Sequence, residues 1–551
     1  DVAHRSLFYE TSRQSTTSFT GTGQAVTTSP YFSIVTPVFN PPIKAFRDCA
    51  DSVAQQVCSD WEWILVDDGS TDPEVIQVLD FIEMNPQVTV IRREKNGGIV
   101  AASNNGINSV RGQFIALLDH DDLLTTDALE TVQRLLIENP DIDYVYSDED
   151  KVNEDGHFFG HFSKPRFSPE RLRGQNYCCH FSVIRTSLAQ QLGGFREGFD
   201  GSQDYDLFLR VTEQARAIAH IPKVLYHWRS VKGSASLDAE AKPYALIAAQ
   251  KAVQEHLDRV GIPGTVETTP EFYLKTIRTL TQRPRVSIII PTCGTDKRVW
   301  GRDMVLVETA VASIVQRSTY NDYEIIVVYD SHTPVEVLTR LSKIAGSRLL
   351  LAEYTKPFNF SEKINLGAVR ATGDVLILLN DDTQIHSPDW IEGLICFLEQ
   401  SDVGMVGPKL LLEDMRIQSA GHYYKNGAHN GASGRAYREA GPFSVLTIPS
   451  ERSGLTMACV AIRRKVFELL GGLCSEFPGA YNDVDFGNKL NLYGYRMIWT
   501  PHVEVFHFES LSRDPKVSEP ETFRIEDRWR SVVLSEDEYL PNFEFSLADI
   551  N

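Results

Sequence analysis

Positive charge is what this sequence has too little of: its 54 Lys and Arg face 74 Asp and Glu, a formal net charge of −20. Holding nucleic acid calls for a basic face, so the balance argues against nucleic acid as a partner, although it does not exclude local basic groups around a phosphate. Cysteine is scarce as well, and the eight present form no C-x-x-C pair. That spacing excludes a zinc ribbon and a disulfide framework, and most of the eight lie in apolar segments, as buried thiols of a reducing compartment do. Long hydrophobic runs are missing too. The longest are short strands such as Val286–Ile290 and Val375–Leu379, far below the roughly 20 residues of a membrane span. There is no phosphate-cradling P-loop, no G-x-S-x-G elbow and no signal-peptide pattern in the residues that follow Asp1, a start that leaves open a natural N-terminus further upstream.

What the sequence does contain is a hydrophobic fraction of 42% over 551 residues, too long a chain for one core. Its organising stretch is Gly112–Asp122, in which the apolar run Phe114–Leu118 breaks into Asp119, Asp121 and Asp122. A short apolar run of this kind is a buried strand, and carboxylates crowded at its mouth repel one another unless a cation sits among them. In an open α/β sheet the carboxyl ends of the strands are where ligands bind, so a divalent metal there could be shared with a phosphorylated ligand.

The flanking pattern supports such a sheet. Residues 1–30 are rich in Ser, Thr and Gly and read as a flexible leader. A strand Phe32–Thr36 ends at Pro37, a second, Trp61–Val66, runs into Asp67-Asp68-Gly69-Ser70, and a third spans Val88–Arg92, with helical apolar spacing between them. Residues 150–200 loosen into a substrate-facing segment. Gln203-Asp204-Tyr205-Asp206 then enters a helix, Val224–Arg229 follows, and 239–260 is a connecting helix.

After residue 284 the pattern starts again. Arg285–Pro291 repeats Tyr31–Pro37, Glu324–Asp330 repeats Glu62–Asp68, and Gly373–Asp382 repeats Gly112–Asp121. Further on, Asn482–Asp485 answers Gln203–Asp206 and Val505–His507 answers Leu225–His227, with a longer variable loop before them in the second copy.

Both halves resemble glycosyltransferase family 2 catalytic domains of the GT-A fold, and the tandem arrangement resembles bacterial two-domain enzymes that build O-antigen, rhamnan or capsule-like polysaccharides. The resemblance implies an α/β chain of two Rossmann-like, mostly parallel domains. These are 31–262 and 285–515, joined by a linker 263–284 and followed by an extension 516–551. It also implies that Pro37, Asp67, Asp68 and Asp119 face a nucleoside-diphosphate sugar, with Pro291, Asp330 and Asn380 as their counterparts. Asp121 with His227, and Asp382 with His507, would hold Mn²⁺ or Mg²⁺: carboxylate oxygens suit either ion and an imidazole tilts the choice towards Mn²⁺. A lone His is more often a core residue, but its recurrence after the same motif favours ligation.

Asp204 and Asp483 match the family's general base, while Asp206 and Asp485 read as structural. An Asp at a helix start is equally welcome for capping, so the repetition carries the assignment. The second copy departs from the pattern at Tyr329, where the first has Asp67, and at Asn380, where the first has Asp119. The implied activity is a metal-dependent inverting glycosyltransferase, bifunctional if both copies work; the competing reading is one active domain and one that holds the acceptor. The implied donor class is a nucleotide sugar, with dTDP-rhamnose favoured. The acceptor that the resemblance implies is a lipid-linked glycan at the cytoplasmic face of the plasma membrane, with peripheral membrane association and no transmembrane span.

Overall fold

A computed structural model describes residues 29–230, 243–271, 273–508 and 517–540. Most of the expected leader, the first residues of the expected connecting helix, residues 509–516 and the end of the C-terminal extension lie outside the described residues. The chain divides into two compact units: residues 1–167, 176–260 and 270–272, and residues 168–175, 261–269 and 273–551.

The first unit contains β1 (Phe32–Val38), β2 (Trp61–Asp67), β3 (Val88–Arg92), β4 (Phe114–Leu117), β5 (Leu123–Leu124), β6 (Ile142–Val152), β7 (Phe158–Phe162), β8 (Val183–Arg185) and β9 (Ala217–Arg229). They form one sheet in the order β3-β2-β1-β4-β8-β6-β9-β5, with β7 beside β6. The longest ladders, β1 on β2 and β6 on β9, are parallel, while the short β8 runs antiparallel to both β4 and β6. β1 is covered on both faces, which is why it reads as an almost unbroken apolar run. Pro37 is tolerated inside this central strand because the ladder to β4 ends at Val35–Leu117, before the missing N–H would matter.

The second unit begins its sheet at β12 (Val286–Thr292), after the antiparallel hairpin β10 (Gly264–Thr268) and β11 (Leu274–Arg278), which occupies the segment expected as linker. A further hairpin, β13 (Asp296–Val299) with β14 (Arg302–Val305), leads to β15 (Tyr323–Asp330), β16 (Leu349–Tyr354), β17 (Val375–Leu379), β18 (Thr383–Ile385) and β19 (Val403–Leu411). The longer variable loop holds the short strands β20 (Ile417–Ser419), β21 (His422–Tyr424) and β22 (Ala428–Asn430). The sheet is completed by β23 (Ser450–Glu451), β24 (Cys459–Arg463) and β25 (Arg496–His507). Its order, β16-β15-β12-β17-β24-β19-β25-β18, is that of the first sheet strand for strand.

The repeated residues at the strand starts have a structural cause. Ser33 Oγ donates to Glu62 Oε1 at 2.6 Å and accepts from Gly112 N at 2.8 Å; Ser287 does the same with Glu324 and Gly373, at 2.6 and 2.9 Å. A side chain at Gly112 or Gly373 would strike the neighbouring backbone at 2.6 Å, so this three-strand latch requires glycine there. None of the eight cysteines is in a disulfide and five are buried, as their apolar settings imply.

Candidate functional site

In the first unit the carboxyl ends of β1 and β4 open into a pocket lined by Pro37, Asp119, His180, Gln203, Asp204 and Tyr226, among others. Residues expected to face the donor and the expected base thus line one cavity. Asp204 sits in the first turn of the helix Gln203–Gln214 and accepts from Asn176 Nδ2 at 2.9 Å. Burial raises its pKa against a hydrogen bond from the Tyr205 backbone, which makes it a better proton acceptor at its position. Asp206, one turn face away, is fully buried and bound by Arg196 and Arg210, so it holds the helix in place.

At the acidic strand end the resemblance implies Asp121 and His227 as metal ligands. Asp119, Asp122 and His180 bring their ligating atoms within 4.8 Å of one another. Burial, then the charge of Asp121, holds the Asp122 carboxyl well above its usual range, and burial also raises Asp119. Asp122 is further engaged by the Tyr226 hydroxyl and the Arg229 amide, both at 2.6 Å. Burial opposes charge on His180, but its hydrogen bond to Glu149 Oε2 at 3.2 Å wins and pushes it up to about 9. A cationic His180 thus offsets part of the carboxylate repulsion, and a bound metal would do so in its place by displacing the proton. The expected ligands Asp121 and His227 stand just outside this group. Asp121 gives its carbonyl to Arg229 Nε at 2.6 Å, and His227 shares a hydrogen bond with Asp150 while its ring packs 4.4 Å from Phe158.

Asp67 and Asp68 close the end of β2 and are both buried. Asp67 accepts from Ser70 N at 2.9 Å, and Asp68 from the amides of Gly97 and Gly98 at 3.0 and 2.8 Å, where the helix Ile99–Ser109 begins.

In the second unit Asp382 Oδ1 lies 3.3 Å from His507 Nε2, and Asn380 Nδ2 lies 3.4 Å from the same nitrogen. Between them Asp381 accepts from the Thr292 hydroxyl at 2.7 Å, and burial with the charge of Asp382 lifts it to about 7. Pro291 precedes Thr292 within β12, and Asp330 closes β15 in contact with Lys363. Asp483 occupies the first turn of the helix Asn482–Leu492, and Asp485 is buried among Lys489, Arg528 and Trp529.

The glycosyl transferase family 2 model matches the sequence twice, over residues 33–193 and 287–471. The chain belongs to glycosyl transferase family 2. It is 37% identical over 539 residues to the uncharacterized protein y4gI of Sinorhizobium fredii, covering 94% of this chain and 58% of that one. It is 33% identical over 491 residues to the O-antigen biosynthesis protein RfbC of Myxococcus xanthus, covering 88% of this chain and 38% of the other. The chain therefore spans well under two thirds of the length of these relatives. Among solved structures, S. aureus TarS in complex with UDP-GlcNAc is similar at 19% identity and a TM-score of 0.33, over 41% of this chain and 72% of the other.

Both family 2 domains therefore carry an acidic strand end, and the residues that surround it include several the motifs did not indicate. His180 comes from the irregular segment before β8, and its only sequence signal is its place in the aromatic-rich stretch 176–181. Lys363 lies in an amphipathic helix, where a lysine ordinarily signals a solvated face, yet it is 1% exposed.

Proposed function

We propose that the chain is a bifunctional, metal-dependent inverting glycosyltransferase that transfers sugars from nucleoside-diphosphate donors to a growing cell-surface polysaccharide. The observation that carries this reading is the single pocket in which Pro37 and Asp119 meet Asp204, residues that neither spacing nor periodicity brings together. Asp204 in the first domain and Asp483 in the second take the proton from the acceptor hydroxyl as that oxygen attacks the anomeric carbon. Attack from the face opposite the leaving diphosphate inverts that carbon.

The donor set fits Mn²⁺ or Mg²⁺. Asp119, Asp122 and His180, with Asp121 beside them, combine carboxylate oxygens with one imidazole, and Asp382 with His507 offers a smaller set of the same kind. When bound, such an ion stabilises the charge on the departing diphosphate. The protein's own part is to hold the donor against the ends of β1 and β12 and to place each base at the first turn of a helix.

The donor is a nucleotide sugar, dTDP-rhamnose being favoured by the family resemblance. The acceptor is a lipid-linked glycan at the inner face of the plasma membrane, approached peripherally. No helix among the described residues is long and apolar enough to cross a membrane. Asn380 and the Lys363-bound Asp330 favour a second reading, in which the second domain binds the acceptor chain without reacting. Incubating the protein with Mn²⁺ and UDP-, GDP- and dTDP-sugars, and measuring nucleoside diphosphate release and chain extension, tests the first reading. No turnover with any donor would remove it.

A further inference from the structure

The two candidate bases have different neighbours. Arg185 and Arg463 pair with the first residues of β4 and β17, so they occupy equivalent positions at the ends of β8 and β24. The same number of residues before them stand Asn176 in the first domain and Gly454 in the second. Asn176 supplies the amide that binds Asp204 at 2.9 Å. Gly454 has no side chain to offer Asp483.

The place is taken by His422, from the variable loop that is longer in the second domain. Its backbone N–H donates to Gly454 O at 2.8 Å in an isolated bridge. Its Nε2 lies 3.7 Å from Asp483 Oδ2, and the residue is 6% exposed. A Cβ on residue 454 would sit 3.0 Å from His422 Nδ1, so a side chain at 454 crowds the histidine at 422, which would have to give by a few tenths of an ångström. Among the described residues Nδ1 has no hydrogen-bond partner although it is buried.

We propose that His422 is the positioning residue of the second domain, doing for Asp483 what the Asn176 amide does for Asp204. The inference rests on the reading of Asp483 as a base. Nε2–H faces Asp483 Oδ2 while the Val484 amide holds Oδ1 at 2.9 Å, which fixes the carboxylate plane towards the acceptor. The exchange has a chemical consequence, because an amide does not titrate and an imidazole does. The groups facing the ring are the carboxylates of Asp483 and Asp537 and, beside Gly454, the Tyr424 hydroxyl, while Arg452 packs on the neighbouring Gly421. Burial lowers the pKa of His422 against the pull of the two carboxylates, so the ring is neutral at pH 7. Protonation in acid turns it into a cation beside the base and weakens that base, so the second transfer gains an ionisation that the first lacks.

The test uses the full chain in an Asp204→Asn background, with Mn²⁺ and whichever of UDP-glucose, UDP-N-acetylglucosamine, GDP-mannose or dTDP-rhamnose the second site consumes. His422→Ala should lower kcat about 10- to 100-fold with donor KM unchanged and remove one ionisation from the acid limb. The double variant His422→Ala/Gly454→Asn, which moves the first domain's solution into the second, should recover most of kcat without recovering that ionisation. Wild-type kcat and acid limb in His422→Ala, or no recovery in a double variant that melts like the parent, overturns the assignment. Asp483→Asn in the same background separates the two failures. If it is inactive while His422→Ala is not, only the role of His422 falls; if it too is active, the reading of Asp483 as a base falls with it.

Discussion

Lys363 Nζ lies 3.0 Å from Asp330 Oδ1 and 2.8 Å from the Thr292 carbonyl, and both side chains are buried. At the matching strand end of the first domain, Asp68 is held by the amides of Gly97 and Gly98 and by Arg93 at 3.1 Å. One domain neutralises its strand-end carboxylate with backbone dipoles and a half-buried guanidinium, the other with a buried ammonium. Removing one member of a buried ion pair costs about 3–5 kcal/mol, because the other charge is left without compensation. Lys363→Met should therefore destabilise the second domain by that order in urea unfolding, and Lys363→Met/Asp330→Leu should recover most of the loss. Equal midpoints for Lys363→Met and wild type would show that the pair is not stabilising the strand end.

The grouping of Asp119, Asp122 and His180 separates two assignments of the metal's imidazole. Titrating the protein with Mn²⁺ and following the free ion by electron paramagnetic resonance should show His180→Gln weakening binding more than about 10-fold, with His227→Gln much closer to wild type. The opposite ranking gives the ligand role to His227. Excess EDTA should abolish transfer in either case, and Asp382→Ala should silence the second domain alone.

Each base should govern its own step. Asp204→Asn and Asp483→Asn keep nearly the same shape and remove one proton acceptor each, a loss of about 10²–10⁴ in rate. With a short synthetic acceptor and both donors, one variant should stall before the first addition and the other after it, and a mixture of the two should extend chains. Wild-type extension by Asp483→Asn alone would make the second domain a binding module.

Glu170 is buried, with Arg173 Nη1 at 2.5 Å, Arg278 Nη2 at 2.5 Å and Arg496 Nη1 at 3.6 Å. Burial favours its neutral form, but the three guanidinium groups prevail and hold its carboxyl far below the usual glutamate range. A depressed carboxyl contributes stability that is complete above its unfolded pKa of about 4.3 and is lost as the pH falls through the lower folded value. Glu170→Gln should thus lower the melting temperature at pH 7, by about 3–5 kcal/mol of stability. The gap to wild type should narrow steadily as the pH is taken below about 4. A gap independent of pH would mean that shape, not charge, is what the variant disturbs.

Much of this was legible in the chain before folding. The doubled strand pattern, the latch residues Ser33, Glu62 and Gly112 with their repeats, and the acidic ends of β4 and β17 all show as local spacing, because a strand's apolar run and its closing residue are neighbours in sequence. So did the structural place of Asp206, which the fold buries against Arg196 and Arg210. The hairpin β10–β11 was hidden because its strands bury only Val266, Leu274 and Thr276, too few to alternate visibly.

Tertiary structure alone decided which groups complete the sites. His180, Lys363 and His422 come from the irregular segment before β8, a helix and a variable loop, and they meet Asp119 with Asp122, Asp330 and Asp483, all far from them in sequence. Local periodicity says which face of an element is apolar. It says nothing about which polar side chain from another element meets that face, and the charge balance around these carboxylates depends on that meeting.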